Sequence, residues 1–92
     1  MDSIRYRLLS EDVAWRVLDN EGVLVDLVRQ RLHCCNDSAT LVVETLRSES
    51  TIEDLAQALC GLYDVNVETA RVDVQKLLLA LEQEGVVARQ GA

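Results

Sequence analysis

The chain has 92 residues, of which 49% are hydrophobic and 27% are charged. This is the length of one small domain, which buries roughly 60–65% of the surface that its unfolded chain exposes. The formal net charge is −7, which argues against a nucleic-acid partner, because affinity for DNA or RNA depends on cations that neutralise phosphates. We expect a single domain over residues 1–92, ordered from about residue 8 to about residue 87.

No apolar run of the sequence reaches the ~18 residues that a membrane span requires. The N-terminal residues also lack the apolar segment of a secretory signal peptide. The three cysteines, Cys34, Cys35 and Cys60, form no CxxC pair, and an odd count does not suit a disulfide framework. We therefore expect a cytoplasmic protein with no membrane partner, in which Cys34 and Cys60 fill the core as free thiols.

Catalytic and metal-binding residues are scarce in this chain. His33 is the only histidine, and on a strand its side chain and that of Cys34 point to opposite faces, so the two cannot act as base and nucleophile. A zinc site built on His33, Cys34 and Cys35 would lack a fourth ligand. We expect no enzyme activity, no metal and no cofactor.

Three short strands are predicted between Val13 and Asn36. Apolar residues recur with period two in Val13–Leu18 and again from Val23 to Val28, the pattern of half-buried strands. The four residues between these runs favour a hairpin turn in which Gly22 is free to adopt a positive φ. Residues 1–11 are predicted to be a lead-in, in which alternating residues could extend the first strand.

A second tight turn at Arg29-Gln30 is predicted to lead into the third strand, Arg31–Cys35. In this strand Leu32 and Cys34 share one face, and the other three residues share the opposite face. The strand contains no proline and few charges, so it lacks the usual features that prevent an edge strand from pairing with another chain. It is therefore a candidate site for addition of a strand from another molecule.

Three helices are predicted after the strands. Asn36 is placed to cap the first, and either Ser50 with Glu53 or Thr51 with Asp54 has the spacing of a capping box for the second. Asn66 is placed to cap the third, which Gly85 ends. The predicted core stripe of the third helix consists of Val67, Ala70, Val74, Leu77, Leu78 and Leu81. The residues after Gly85 are predicted to be a short apolar tail, frayed from residue 89.

Two further groups of residues on the third helix lie off the centre of this stripe. Val72 and Leu79 are apolar residues roughly opposite the core, and contact with something besides the chain's own core would explain them. The flank between the two faces consists of Arg71, Gln75, Leu78 and Glu82.

Because strands precede helices in separate blocks, the fold class is α+β. The arrangement is winged-helix-like, with a three-stranded antiparallel sheet followed by three helices.

Two other functions fit parts of the sequence. Asp37-Ser38-Ala39 is similar to the site at which carrier proteins receive phosphopantetheine, but carriers are helical bundles, whereas the residues before Ser38 alternate with period two. A winged helix also suggests DNA binding by analogy of fold. The third helix, however, carries four carboxylates against Arg71 and Lys76, the wrong balance for phosphate contacts.

From about Leu8 to Val87 the chain resembles the PqqD-like family, the domains that recognise precursors of ribosomally synthesised and modified peptides. The resemblance rests on VAWRVLDNEGVLVDL, on the strand-to-helix junction LHCCNDSATLVVETL and on STIEDLAQALCGLYDVNVETARVDVQKLLLALEQEGVV. Within these, the family pattern is matched by Asn36, Ala39, Thr51, Tyr63-Asp64-Val65 and Asp73-Val74. The chain is most similar to the standalone B1-type proteins of lasso-peptide clusters, because the proline-containing strand of the pyrroloquinoline-quinone members is absent.

The resemblance implies a non-catalytic adaptor that binds the leader segment of a precursor peptide and delivers it to a leader peptidase or another modifying enzyme. A chaperone of the pyrroloquinoline-quinone precursor is the alternative within the family. The leader would add as a strand beside the third strand and pack on the third helix. The implied peptide-binding residues are Arg31, Leu32, His33, Cys34 and Cys35 on the strand, and Arg71, Asp73, Val74, Gln75 and Leu78 on the helix.

Overall fold

A computed structural model describes residues 4–9, 11–19 and 21–91. These residues form an α+β fold with three helices, and the predicted class is confirmed. The elements in chain order are β1 Arg5–Leu8, β2 Val13–Leu18, β3 Glu21–Asp26, β4 Arg31–Cys35, α1 Asp37–Thr45, β5 Ser50–Thr51, α2 Ile52–Leu62, α3 Val67–Gln83 and β6 Val87–Gln90.

The predicted three-stranded sheet is present as the antiparallel order β2-β3-β4. The strand predicted from Val23 to Val28 corresponds to β3, which lies two residues earlier, at Glu21–Asp26. Residues 27–30 form the turn into β4. In this turn Gln30 has a φ of 57°, in the left-handed region. The first hairpin places Asp19 in that region with a φ of 50°, and Asn20 lies outside the described residues. The prediction of a positive φ at Gly22 is wrong, since Gly22 pairs within β3 opposite Val17.

Gly22 is instead required because the ring of Trp15 occupies the space that a side chain at this position would need. A Cβ atom at this position would lie 2.0 Å from Cη2 of Trp15, because the indole of β2 crosses directly over the glycine. The indole Nε1 donates a hydrogen bond to the Glu44 carboxylate on α1, and the Gly22 amide donates to Oγ1 of Thr40 at 2.8 Å. These contacts join the sheet to the first helix.

A second small sheet, of order β5-β1-β6, was not predicted. Tyr6 and Leu8 of β1 are buried, and β1 pairs with β6 in the register Leu8 with Val87 and Tyr6 with Arg89. The predictions of a lead-in and of a frayed apolar tail are therefore wrong for the residues that form β1 and β6. Each segment is short, and the pairing joins residues some 80 positions apart, so the alternation near β1 does not identify the partner of that strand.

The helix boundaries follow the predicted caps. The side-chain oxygens of Asn36 and Asn66 accept hydrogen bonds from the amides of Ala39 and Thr69, at 2.9 and 2.8 Å. Of the two candidate capping boxes, Thr51 with Asp54 is the one formed. Helix α3 ends at Gln83, Glu84 is its C-cap, and Gly85 follows with a φ of 77°. The amides of Gly85 and Val86 donate hydrogen bonds to the carbonyls of Glu82 and Leu81, which completes a Schellman motif.

The core lies between the two sheets and the helices, and aliphatic side chains dominate it. The largest fully buried side chains are Leu24, Leu46, Leu55, Leu78, Val42, Val43, Val74 and Val86. Cys35 belongs to this core, whereas Cys34 is exposed and Cys60 is half-buried, so the prediction that Cys34 fills the core is wrong. Among the described residues, no helix combines the length and hydropathy needed to cross a membrane.

Candidate functional site

Strand β4 is an open edge of its sheet. It pairs with β3 through the register Asp26 with Arg31, Leu24 with His33 and Gly22 with Cys35. No other strand in the described part of the chain pairs with β4. The backbone amides and carbonyls that point away from β3 are therefore free to pair with an added strand.

The two faces of β4 have different surroundings. Arg31, His33 and Cys35 face the helices, and Cys35 is 9% exposed. Leu32 and Cys34 point to the opposite side of the sheet, where Leu32 is 62% exposed. This alternation is the one that the sequence predicted for the strand.

The end of helix α3 holds the beginning of β4 in place. One carboxylate oxygen of Glu84 lies 3.1 Å from the Arg31 guanidinium and 3.6 Å from Nε2 of His33. Arg29, in the turn before β4, donates a hydrogen bond to the backbone carbonyl of Glu84. Glu84, the C-cap of α3, therefore contacts both the beginning of β4 and the turn before it.

A groove of about 310 Å³ lies between α3 and the junction of β4 with α1. It is lined by Asn36, Ser38, Ala39, Val42, Leu59, Asp73, Val74, Lys76 and Leu77. A neighbouring depression shares Asn36, Ser38, Leu59 and Asp73 with the groove and extends to Glu21 and Tyr63. Aliphatic side chains form the floor and polar groups stand at the rim, a composition that suits a peptide side chain with its backbone held outside.

The flank of α3 that faces β4 differs from the predicted one. Asp73, Leu77 and Glu84 face the groove or β4, and Ala80 completes this row because the four residues follow the helical spacing i, i+4, i+7, i+11. Arg71 lies on the other flank and contacts Glu53 of α2 at 2.8 Å. Arg71, and Gln75 one helical turn further on, therefore lie on the flank toward α2, and their role in peptide binding stays a prediction.

The predicted wall residues Val74 and Leu78 belong to the core. Their exposed fractions are 0% and 1%, so Leu78 cannot present its side chain to a peptide in this conformation. Val74 lines the floor of the groove. Of the five predicted helical residues, Asp73 alone is both exposed and in contact with the groove.

Several residues at this site were missed by the sequence predictions. Leu77 was assigned to the core stripe, and Glu84 and Ser38 were given no role in peptide binding. The sequence shows the periodicity and charge of these residues. It does not show which flank of α3 turns toward β4, because packing decides the rotation of the helix. On the other flank, Arg71 pairs with Glu53 of α2 and Glu82 pairs with Arg89 of β6.

Cys35 lies in the core and is not an activated thiol. Burial raises the pKa of the Cys35 thiol, with a smaller contribution from Cys34, which is the opposite of what a nucleophilic cysteine needs. In the described residues no group of three potential ligands is placed to hold a metal ion. The site can present a hydrogen-bonding strand edge beside a partly apolar groove.

Asp26 anchors the turn that leads into β4. Its carboxylate accepts hydrogen bonds from the amides of Arg29 and Val28, both at 3.0 Å. The Arg29 bond is the largest cause that lowers the pKa of Asp26 below 3.8, and burial opposes it. A carboxyl whose pKa is lower in the folded state contributes stability above its unfolded pKa and loses it as the pH falls through the folded value.

We therefore expect Asp26→Asn to make the chain less sensitive to acid. The free energy of unfolding of the wild type should fall as the pH drops below about 3.8, and the variant should show a shallower fall. Urea unfolding followed by circular dichroism between pH 7 and pH 2.5 measures this slope. Asp64→Asn removes an exposed carboxylate as the control, and an equal change of slope in both variants would contradict the assignment to Asp26.

Comparison with solved structures identifies two similar proteins, both with bound peptides. One, described as "TbiB1 in Complex with the TbiA(beta) Leader Peptide", is 22% identical, with a TM-score of 0.81 over 88% of this chain and 93% of that one. The other, "Lasso peptide synthetase B1 complexed with the leader peptide", is 28% identical, with a TM-score of 0.78 over 90% of this chain and 96% of that one.

No curated protein sequence matches the chain at a significant level. A family model does match it: residues 21–87, which run from the start of β3 to the start of β6, match the model of "Coenzyme PQQ synthesis protein D (PqqD)". The match includes β4, α3 and every residue that lines the groove. The chain therefore belongs to the PqqD family.

Proposed function

We propose that this chain is a non-catalytic adaptor for the leader segment of a ribosomally synthesised precursor peptide. It binds the leader at the open edge of β4 and delivers the precursor, in the cytoplasm, to a leader peptidase or another modifying enzyme of lasso-peptide biosynthesis. The observation that carries the proposal is the free edge of β4, which leads at Asn36 into a groove between α3 and the start of α1. Two similar structures described as leader-peptide complexes support it.

Binding uses two kinds of contact. Backbone hydrogen bonds along Arg31–Cys35 provide affinity that does not depend on the leader's sequence. Specificity comes from leader side chains that point toward α3 and enter the groove above Val74 and Leu77. Asp73 at the rim provides a carboxylate for a basic leader residue, and the chain's net charge of −7 favours the approach of such a peptide.

The name of the matching family favours a second candidate, a chaperone of the pyrroloquinoline-quinone precursor. The same edge and groove would serve, and only the bound peptide would differ. A carrier function at Ser38 has no such support. The Ser38 hydroxyl donates a hydrogen bond to Asn36 at 3.2 Å within the capped first turn of α1, the role of an ordinary helix-start residue.

Titration with the cognate leader tests the proposal. We expect a synthetic peptide of the leader, encoded beside the chain's own gene, to shift the backbone amide signals of Arg31–Cys35 in the ¹⁵N-labelled protein. Residues Asp73 and Leu77 should shift with them, because the peptide would cover the groove. Saturable shifts confined to β2, the opposite edge of the same sheet, would contradict the placement of the leader at β4. The absence of any shift would contradict leader binding.

A further inference from the structure

A cavity of about 600 Å³ lies between β2, α1 and the end of α2, and we name it the Trp15 cavity. Its wall is largely apolar and partly open to solvent: Val17 is 43% exposed, Leu62 is 70% exposed, and Trp15 and Tyr63 are half-buried. Open apolar cavities of this size with a few polar groups at the rim are typical binding sites. The cavity is lined by Trp15, Val17, Asp37, Thr40, Leu41, Glu44, Arg47, Leu62 and Tyr63.

The depression next to the groove joins the groove to the Trp15 cavity. It has a volume of about 570 Å³ and shares four lining residues with the groove. At its other end Asp37 and Tyr63 line both the depression and the Trp15 cavity. The groove, the depression and the cavity together form one trough, which begins at Asn36, directly after β4, and passes around the start of α1 to β2. We name it the α1 trough. It is continuous with the proposed leader site.

Carboxylates dominate the middle of the α1 trough. Glu21, Asp37 and Asp73 line the depression, and no cation lines it with them. All three are exposed, and none forms an ion pair within the described part of the chain. Lys76 and Arg47 line the two ends of the trough, and Arg47 is already in an ion pair at 3.6 Å. The trough therefore favours a basic occupant over an acidic one.

The leader is the occupant that the position of the trough favours. A peptide strand paired along Arg31–Cys35 that continues past Cys35 arrives at Asn36, where the trough begins. Asp37 and Glu44 are seven positions apart on α1, or about 10 Å, which roughly three residues of extended peptide can span. A second copy of the chain is a poor occupant, because each copy carries a net charge of −7.

We propose that the leader has a second contact site on this chain, in the Trp15 cavity. The part of the leader that extends past the Cys35 end of β4 follows the α1 trough, places a basic side chain beside the carboxylates of the depression, and inserts a large apolar side chain into the cavity. The inference rests on the proposed function. Because both contacts belong to one peptide, the second forms within the bound complex, at a high effective concentration, and raises the overall affinity.

Two synthetic peptides test the inference: the full cognate leader, and a shortened leader that keeps only the stretch that shifts the amide signals of Arg31–Cys35. We expect the full leader to bind the wild type about tenfold more tightly than the shortened one. Leu62→Lys places a charge at an exposed position of the Trp15 cavity. It should weaken binding of the full leader about tenfold and leave that of the shortened leader within about twofold. Isothermal titration measures all four affinities.

Trp15 provides a direct reporter of the cavity. It is the only tryptophan of the chain, so fluorotryptophan incorporated in its place gives a single ¹⁹F signal from the cavity wall. The full leader should shift this signal at saturation. The shortened leader should not, because β2 lies at the opposite edge of the sheet from β4.

Leu79→Lys is the matched control, since Leu79 is an apolar residue with 58% exposure on α3, outside the α1 trough. It should bind both peptides as the wild type does. Val17→Lys, at another exposed position of the cavity, replaces Leu62→Lys if circular dichroism shows that the latter is unfolded.

Equal affinities of Leu62→Lys and Leu79→Lys for the full leader would overturn the inference and leave the proposed function intact. A ¹⁹F signal that the full leader does not shift would do the same. Sedimentation of the wild type as a dimer that Leu62→Lys dissociates would also overturn the inference, because a second copy would then occupy the cavity. Failure of the wild type to bind either peptide would contradict the proposed function itself.

Discussion

Asp73→Trp is expected to weaken leader binding at least tenfold without unfolding the chain. Asp73 is exposed at the rim of the groove between α3 and the start of α1, so the larger indole ring should occupy space that a leader side chain requires. The substitution also removes the carboxylate proposed to contact a basic leader residue. A tenfold loss corresponds to about 1.4 kcal/mol of binding free energy. Isothermal titration of the cognate leader measures the affinity, and the circular dichroism spectrum reports the fold.

Gln75→Trp is the matched control for this prediction. Gln75 is also an exposed position on α3, two residues further along, but it lies on the flank that holds Arg71 and faces away from β4. Leader affinity should remain within twofold of the wild type. If Gln75→Trp weakens binding and Asp73→Trp does not, the leader uses the flank that the sequence suggested, and the groove is not its site.

Gly22→Ala is expected to lower the free energy of unfolding by about 1–3 kcal/mol, the usual cost of overpacking. The added methyl group would lie 2.0 Å from the ring of Trp15, so the indole would have to move. Such a movement would disturb the hydrogen bond from Trp15 to Glu44 that joins β2 to α1. Urea unfolding followed by tryptophan fluorescence and by circular dichroism measures the loss.

Two comparisons separate the clash from a general effect of losing glycine. Gly61→Ala introduces a methyl group into open space on helix α2 and should leave stability unchanged or raise it by about 0.5–1 kcal/mol. In a Trp15→Ala background the ring is absent, so Gly22→Ala should cost less than about 0.5 kcal/mol. If the full cost persists in that background, contact with the indole is not its cause.

Positions where the chain signals its structure locally could be predicted from the sequence. Asn36, Thr51 and Asn66 cap their helices because a side-chain oxygen reaches an amide three residues ahead, a contact contained within one turn. Period-two alternation likewise predicted β2 at Val13–Leu18 and β4 at Arg31–Cys35, the bounds that the structure has. The open edge of β4 could be predicted as well, since it follows from the order of the strands and the absence of proline.

The tertiary structure alone decided which residues meet across the chain. Strands β1 and β6 pair from opposite ends of the sequence, and although alternation near β1 suggested a strand, nothing local identified its partner. Gly22, predicted for turn geometry, is needed because Trp15 lies over it. Asp73 and Leu77 face the groove because the buried residues Ala70, Val74, Leu78 and Leu81 set the rotation of α3. Periodicity places residues on a face of a helix or strand, whereas the neighbour of each face depends on long-range packing. The sequence therefore determined that β4 is an open edge, and long-range packing determined which flank of α3 faces the groove.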